Sequence, residues 1–279
     1  MLYIVIPVFN RKEFTKECLL SLQQQSRKDF KTIIVDDGST DGTAEMLADE
    51  FPEVLVMKGH GDLWWTASIN MGIREALRLG ADRVMTLNND TLAPTQWIEK
   101  MMKASEELPS ALIGALNVEN GSGKIHYGGE KINWNVYTNT KLIDELPTDQ
   151  LQGLHLVTHF PGRGLIIPKE VFDKVGLFDQ EGLPHYYADY EFTYRANAAG
   201  FKIYCNYDAP LLTYPEASGD QALRKRKTFS AYWDHLFGIR GGGNLRNFTR
   251  FTLRHCPKKY LPRYIVEGYS RRLLGYWIS

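Results

Sequence analysis

Long apolar runs are missing from this 279-residue chain. None approaches the roughly 18–20 residues that span a bilayer. The N-terminus opens directly into an apolar segment, LYIVIPVFN, with no charged stretch or small-residue cleavage site ahead of it. The expectation is therefore a cytoplasmic protein, neither secreted through a signal peptide nor integral to a membrane. Cysteine is scarce: Cys18, Cys205 and Cys256 lie far apart and are odd in number. That excludes a disulfide framework and a CxxC metal site, and fits a reducing compartment. No GxGxxG follows the first strand-like segment and no P-loop lysine occurs, which argues against a dinucleotide enzyme or a nucleotidyltransferase on a similar sheet. Repeats and low-complexity tracts are absent, and a hydrophobic content of 43% excludes a disordered chain.

Net charge is zero, but its distribution is uneven. Residues 222–279 hold thirteen Lys or Arg against two acids, Asp234 and Glu267, and residues 1–221 carry the matching negative excess. The division suggests an acidic body, 1–221, and a basic, aromatic, helical extension, 222–279, that meets something anionic. The body alternates strand-like segments (Leu2–Ile6, Thr32–Val35, Val54–Met57, Arg83–Leu87) with helical patterns (Glu13–Gln25, Thr43–Glu50, Trp65–Leu79). This order predicts a doubly wound α/β fold, mostly parallel, with ligands at the C-terminal ends of the strands. A helix from Pro94 to Leu108, a strand near Ala111–Asn117 and a polar excursion over 119–153 follow. Strands at Leu154–Phe160, Leu165–Ile167 and Lys202–Tyr207 and helices at Lys169–Val175 and Ala188–Ala199 complete the body.

The segments after the strands carry the chemistry. VDDGSTDGT places Asp36 and Asp37 at a strand end, where carboxylates can accept from a base or ribose and the helix at Thr43 offers free amides. The same residues also suit an ordinary turn with a helix cap. LNNDT places Asn88, Asn89 and Asp90 at the next strand end, with Asp90 able to bind a hard cation beside diphosphate oxygens. His155 and His159 have helical spacing, but LHLVTHF reads as a strand, so they are not taken as ligands.

Together, IVIPVFN, VDDGSTDGT, GDLWWTASINMGI, TLNNDT, GRGLIIPKEVFDKVGLFD and YYADYEFTYRANAAGF resemble glycosyltransferase family 2 over roughly Leu2–Tyr207. They are similar to the rhamnosyltransferase-like enzymes of bacterial cell-surface polysaccharides. The resemblance implies a GT-A fold and transfer of a hexosyl or deoxyhexosyl group from a UDP- or dTDP-sugar to a glycan or polyisoprenoid-linked acceptor. It assigns Pro7, Val8, Phe9, Asn10, Asp36, Asp37, Leu63, Trp64, Asn70, Asn88, Asn89 and Arg163 to the nucleotide-sugar. It also implies Mg²⁺ or Mn²⁺ on Asp90, the last acid of the family's DxD motif. Asn88 replaces the first acid and Tyr214 stands where a third ligand, His, is expected, leaving His185 and Glu216 as candidates. Asp189 matches the general base of inverting members, and the acid before it is replaced by Ala188. An N-cap is the structural alternative for Asp189, and one of Trp64 and Trp65 is expected in the core.

The substitutions at Ala188, Asn88 and Tyr214 also suit a catalytically silent nucleotide-sugar-binding or scaffold protein. For the extension, docking on an anionic membrane competes with packing on the body or a homodimer contact. Nucleic acid is not expected, because no binding motif accompanies the charge.

Overall fold

The computed structural model describes residues 1–214 and 226–278. Strands β1 (Leu2–Val8), β2 (Phe30–Asp36), β3 (Leu55–Lys58) and β4 (Arg83–Thr86) alternate with helices α1 (Lys12–Gln23), α2 (Thr43–Glu50) and α3 (Trp64–Arg78). After β5 (Thr91–Leu92) come α4 (Trp97–Glu107), β6 (Leu112–Glu119), β7 (Ile125–Tyr127), β8 (Glu130–Asn133), β9 (Thr138–Lys141) and α5 (Leu142–Glu145). Then follow β10 (Leu154–Val157), β11 (Leu165–Pro168), α6 (Lys169–Val175), α7 (Ala188–Ala198) and β12 (Ile203–Thr213). The chain continues with α8 (Phe229–Phe237), α9 (Leu245–His255) and α10 (Leu261–Ile278).

The main sheet runs β10-β12-β6-β11-β4-β1-β2-β3, with β5 beside β12 and β7 beside β6. Strands β1 to β4 are mutually parallel, and β11 enters antiparallel between β4 and β6. The fold is thus α/β and mostly parallel, as its βαβ order predicts.

Alternation along β1 explains the two layers. Ile4 and Ile6 enter one core with Leu19, Leu47 and Trp97, while Tyr3 and Val5 enter the other with Ile69, Ile73 and Phe192. Each fully buried Ile contributes about 1.5–3 kcal/mol. Gly72 lets α3 approach the sheet, since a Cβ there would lie 2.3 Å from Val5 Cγ1.

Pro7 opens the crevice. The Val8 carbonyl accepts from Asp37 on the β2 side, and the Val5 carbonyl accepts from Leu87 on the β4 side. Pro7 therefore faces β4 as Val5 does, yet has no N–H to extend that ladder. Pairing of β1 with β4 ends at Val5–Thr86, whereas pairing with β2 continues to Val8–Asp36. The strands part where the sheet order reverses, which is where α/β sheets bind ligands.

Two expectations are corrected. The strand expected at Leu154–Phe160 stops at Val157, because the Thr158 amide turns to the Glu130 carbonyl on β8. The last strand extends past Tyr207 to Thr213, with a register shift between Asn206 and Pro210 that absorbs the residues that read as a break.

The C-terminal helices pack on the body. Phe248 and Tyr264 cluster with Trp134, Tyr137 and Tyr187. Arg254 pairs with Asp179 at 2.7 Å, and His255 Nε2 lies 3.3 Å from Glu191.

Candidate active site

The loop after β2 organises one side of the crevice. Asp36 Oδ1 accepts the Ser39 amide at 3.0 Å. The Asp37 carboxylate accepts the amides of Gly61 (2.8 Å), Leu63 (2.9 Å) and Trp64 (3.3 Å). These donors satisfy a buried charge that would otherwise be costly. They also hold Trp64 at φ 57, a conformation costing a bulky residue about 1–3 kcal/mol. Asn10, at φ 51, accepts the Thr40 amide at 2.8 Å and donates its own to Ser39 Oγ at 2.9 Å. Pro7, Val8, exposed Phe9, Asn10 and Asp36 thus converge on one rim. The acceptors of Asp37 are engaged by the 61–64 loop, and Leu63 contributes its amide to that bond. The Thr43 amide, expected to be open for a ligand, donates to Asp41 Oδ1 at 3.2 Å instead.

The three residues after β4 diverge. Asn88 Oδ1 accepts the indole N–H of Trp65 at 3.0 Å. Asn89 turns inward and donates to Thr15 Oγ1 at 3.0 Å. Asp90 is only 5% exposed: Oδ2 accepts from Arg11 at 3.0 Å, and Oδ1 has no hydrogen-bond partner among the described residues. The Tyr214 amide reaches the Asp90 carbonyl at 3.3 Å, but its phenol donates to Glu17 at 3.0 Å.

Among the described residues no group of three or more His, Cys, Asp or Glu could hold a metal ion. Glu216 lies outside the described residues. His185 is partly buried, and burial together with the charges of Arg240 and Arg11 pushes its pKa down to about 4. It is neutral at physiological pH. The open Asp90 oxygen suits a cation with one protein carboxylate, its remaining positions filled by phosphate and water, as Mg²⁺ tolerates.

Asp189 is the second residue of α7, not its N-cap; that position is Tyr187, at φ 74. Asp189 Oδ2 accepts the Gly162 amide at 3.1 Å and Oδ1 accepts the Tyr190 amide at 2.9 Å. Burial raises its pKa, partly opposed by these amides. Gly162 has no side chain because Trp65 occupies the space: a Cβ would fall 2.4 Å from Trp65 Cζ2. One indole therefore connects Asn88 at the end of β4 to the glycine that anchors Asp189. Glu191 faces elsewhere, 3.1 Å from Arg195 and 3.3 Å from His255, and joins α7 to α9.

Two predicted residues stand apart from this arrangement. Asn70 donates to the Phe178 carbonyl at 2.9 Å and to Gln180 Oε1 at 3.0 Å, clamping the 178–180 loop. Arg163, half-buried in the glycine turn, makes no ion pair among the described residues, and its charge adds to burial in lowering the pKa of His126.

Sequence reasoning passes over Arg11 and Arg240 and leaves Trp65 undecided between core and site. Arg11 directly follows a strand-end segment and was findable on that ground. Trp65 was one of two candidates, and only the Asn88 bond distinguishes it. Arg240 lies 5.3 Å over the Trp64 ring from a distant part of the chain, and nothing local announces it.

Comparison with known proteins bears on the family and the fold. A family model described as Glycosyl transferase family 2 matches residues 3–176. An uncharacterized glycosyltransferase of Rickettsia conorii is 32% identical over 37% of this chain and 17% of its own length. The succinoglycan biosynthesis protein ExoA of Rhizobium meliloti is 25% identical over 93% of this chain and 73% of its own. Several of the curated relatives are much longer, this chain spanning 17–23% of their length. The structure of GalNAc-T7 with UDP, GalNAc and Mn²⁺ superposes with a TM-score of 0.63 at 14% identity, covering 100% of this chain and 57% of that one.

Proposed function

The chain belongs to glycosyltransferase family 2 and has the GT-A fold, and from that premise we propose that it moves a sugar from a UDP- or dTDP-sugar to a saccharide or lipid-linked glycan, with inversion. The observation that carries this reading is the Asn88–Trp65–Gly162–Asp189 connection, which joins the donor end of the crevice to a basic carboxylate. Asp189 takes the proton of the acceptor hydroxyl as that oxygen bonds to the anomeric carbon. The bond from that carbon to the diphosphate breaks, and the diphosphate leaves with the electron pair. The raised pKa makes Asp189 a stronger base than an ordinary carboxylate. Its two amide donors orient it and leave lone pairs on both oxygens.

Mg²⁺ or Mn²⁺, held through Asp90, would neutralise charge on the departing diphosphate. Arg11 keeps the other Asp90 oxygen paired, and Arg240 adds positive charge near the same end. The UDP and Mn²⁺ of the GalNAc-T7 structure support this choice of donor and cation.

We also propose that the extension docks on an anionic membrane. Phe229, Trp233 and Phe237 recur along α8 and, with Trp277, stay exposed: 72% for Phe229, 55% for Trp233 and 50% for Trp277. Aromatic side chains beside a basic surplus suit a headgroup boundary. No helix of the described residues is long and apolar enough to cross a membrane.

The test of glycosyl transfer is incubation of purified protein with UDP- and dTDP-sugars plus Mn²⁺, reading nucleoside diphosphate release and the anomeric configuration of the product by NMR. Retention of configuration overturns the single-displacement mechanism. Binding without any turnover across the donor panel favours a silent nucleotide-sugar binder.

A further inference from the structure

A cavity of about 320 Å³ lies away from the donor crevice, between the β8–β9 hairpin, the start of α7, and helices α9 and α10. Its size is at the low end of small-ligand pockets. Tyr187 and Tyr190, in its wall, flank Asp189 at the start of α7, so the cavity neighbours the proposed base along that helix.

Two buried polar atoms at this cavity have no hydrogen-bond partner among the described residues, His159 Nε2 and Arg272 Nε. His159 is 1% exposed. Its Nδ1 lies 3.0 Å from Thr158 Oγ1, while Nε2 stands 3.7 Å from Glu130 Oε2, beyond hydrogen-bond reach. Native proteins rarely leave such atoms unmatched without a ligand, water or functional reason. Arg272 is fixed by the hydroxyls of Tyr137 and Tyr187 and lies 3.8 Å over the Phe248 ring.

The charge at the cavity is positive. Arg271 lies 5.1 Å over the Tyr137 ring, and neither it nor Lys141 makes an ion pair among the described residues. With Arg272 these cations face a single wall carboxylate, Glu130, so an anion is favoured. Tyr187 and Tyr190 line the cavity, and tyrosine side chains suit the mixed hydroxyl and C–H surface of a pyranose.

We infer that this cavity binds the acceptor as a saccharide carrying an anionic group, a carboxylate or a phosphate ester, with its reacting hydroxyl toward Asp189. The inference rests on the reading of Asp189 as base. It also gives the C-terminal helices a part in acceptor choice, since Arg271 and Arg272 belong to α10.

Saturation-transfer NMR on the full chain tests it with three probes: methyl β-D-glucuronide, N-acetylglucosamine 1-phosphate and neutral methyl β-D-glucoside. At least one acidic probe should bind roughly fivefold or more tightly than the neutral one, and added salt should weaken it. A carboxylate-only or phosphate-only response identifies the anionic group. Arg271→Gln and His159→Gln should each reduce acidic-probe binding while UDP binding on the same samples stays unchanged. Arg271 is exposed, so its variant keeps the test valid if the buried His159 change impairs folding. Equal binding of neutral and acidic probes, or acidic binding that survives both variants, overturns the inference. Efficient transfer to neutral acceptors alone overturns the pocket's role and leaves glycosyl transfer intact, whereas acidic binding without transfer supports the pocket and counts against the enzyme reading.

Discussion

Asp90 pairs with Arg11 through Oδ2 at 3.0 Å and leaves Oδ1 buried without a partner among the described residues. One oxygen is paired with a cation and the other is buried with no hydrogen-bond donor. A buried carboxylate normally fills its acceptor sites, so the unpaired oxygen is where the proposed cation would bind.

Asp90→Ala should weaken UDP affinity by about tenfold or more, on the order of 1.4 kcal/mol, and abolish its response to Mn²⁺. Calorimetry with Mn²⁺ and with a chelator measures both effects. Equal wild-type affinities in the two conditions would remove the cation from the proposal.

Asp189→Asn should lower transfer by about 10²–10⁴-fold with donor affinity retained. The folded protein raises the Asp189 pKa, so the native state holds that proton more tightly than the unfolded chain. Its contribution to stability is present below the unfolded value, about 3.9, and is lost as pH rises through the folded value. At neutral pH that contribution is absent, and the variant, whose single side-chain oxygen can accept only one of the two amides, should be far less active. The wild-type activity profile should have an acid limb above the ordinary Asp range. Unchanged turnover in the variant excludes Asp189 as base.

Gly162→Ala should reduce turnover strongly, because the new methyl falls 2.4 Å from the Trp65 ring and displaces either the indole or the amide that anchors Asp189. Overpacking of this kind typically costs about 1–3 kcal/mol. Trp65→Phe in the same background should recover part of the loss, since the smaller ring makes room. Wild-type rates in Gly162→Ala would separate Trp65 from the catalytic geometry.

The extension should carry the protein to vesicles containing anionic lipid at low salt and release it as salt rises. Replacing Trp233 and Trp277 together by Ser removes exposed rings without touching the fold's cores, and should reduce co-sedimentation at unchanged thermal stability. Failure of the wild-type chain to sediment with such vesicles would end the membrane proposal.

Local pattern determined much of this protein. Short runs rich in Val and Ile within Leu2–Val8 and Phe30–Asp36, with helical spacing between them, specify βαβ units and place Asn10, Asp36 and Asp90 at or just after strand ends. Both signals arise within a few residues, where backbone sterics and burial act directly. Tertiary structure alone decided where the side chains at those strand ends point. Asn88, Asn89 and Asp90 are consecutive, yet one meets Trp65, one turns to Thr15 and one pairs with Arg11. Periodicity says nothing of these partners, because each is set by a loop or helix distant in sequence. The same holds for Arg240 over Trp64 and for Arg272 beside Tyr187, which exist only once the C-terminal helices have packed on the body.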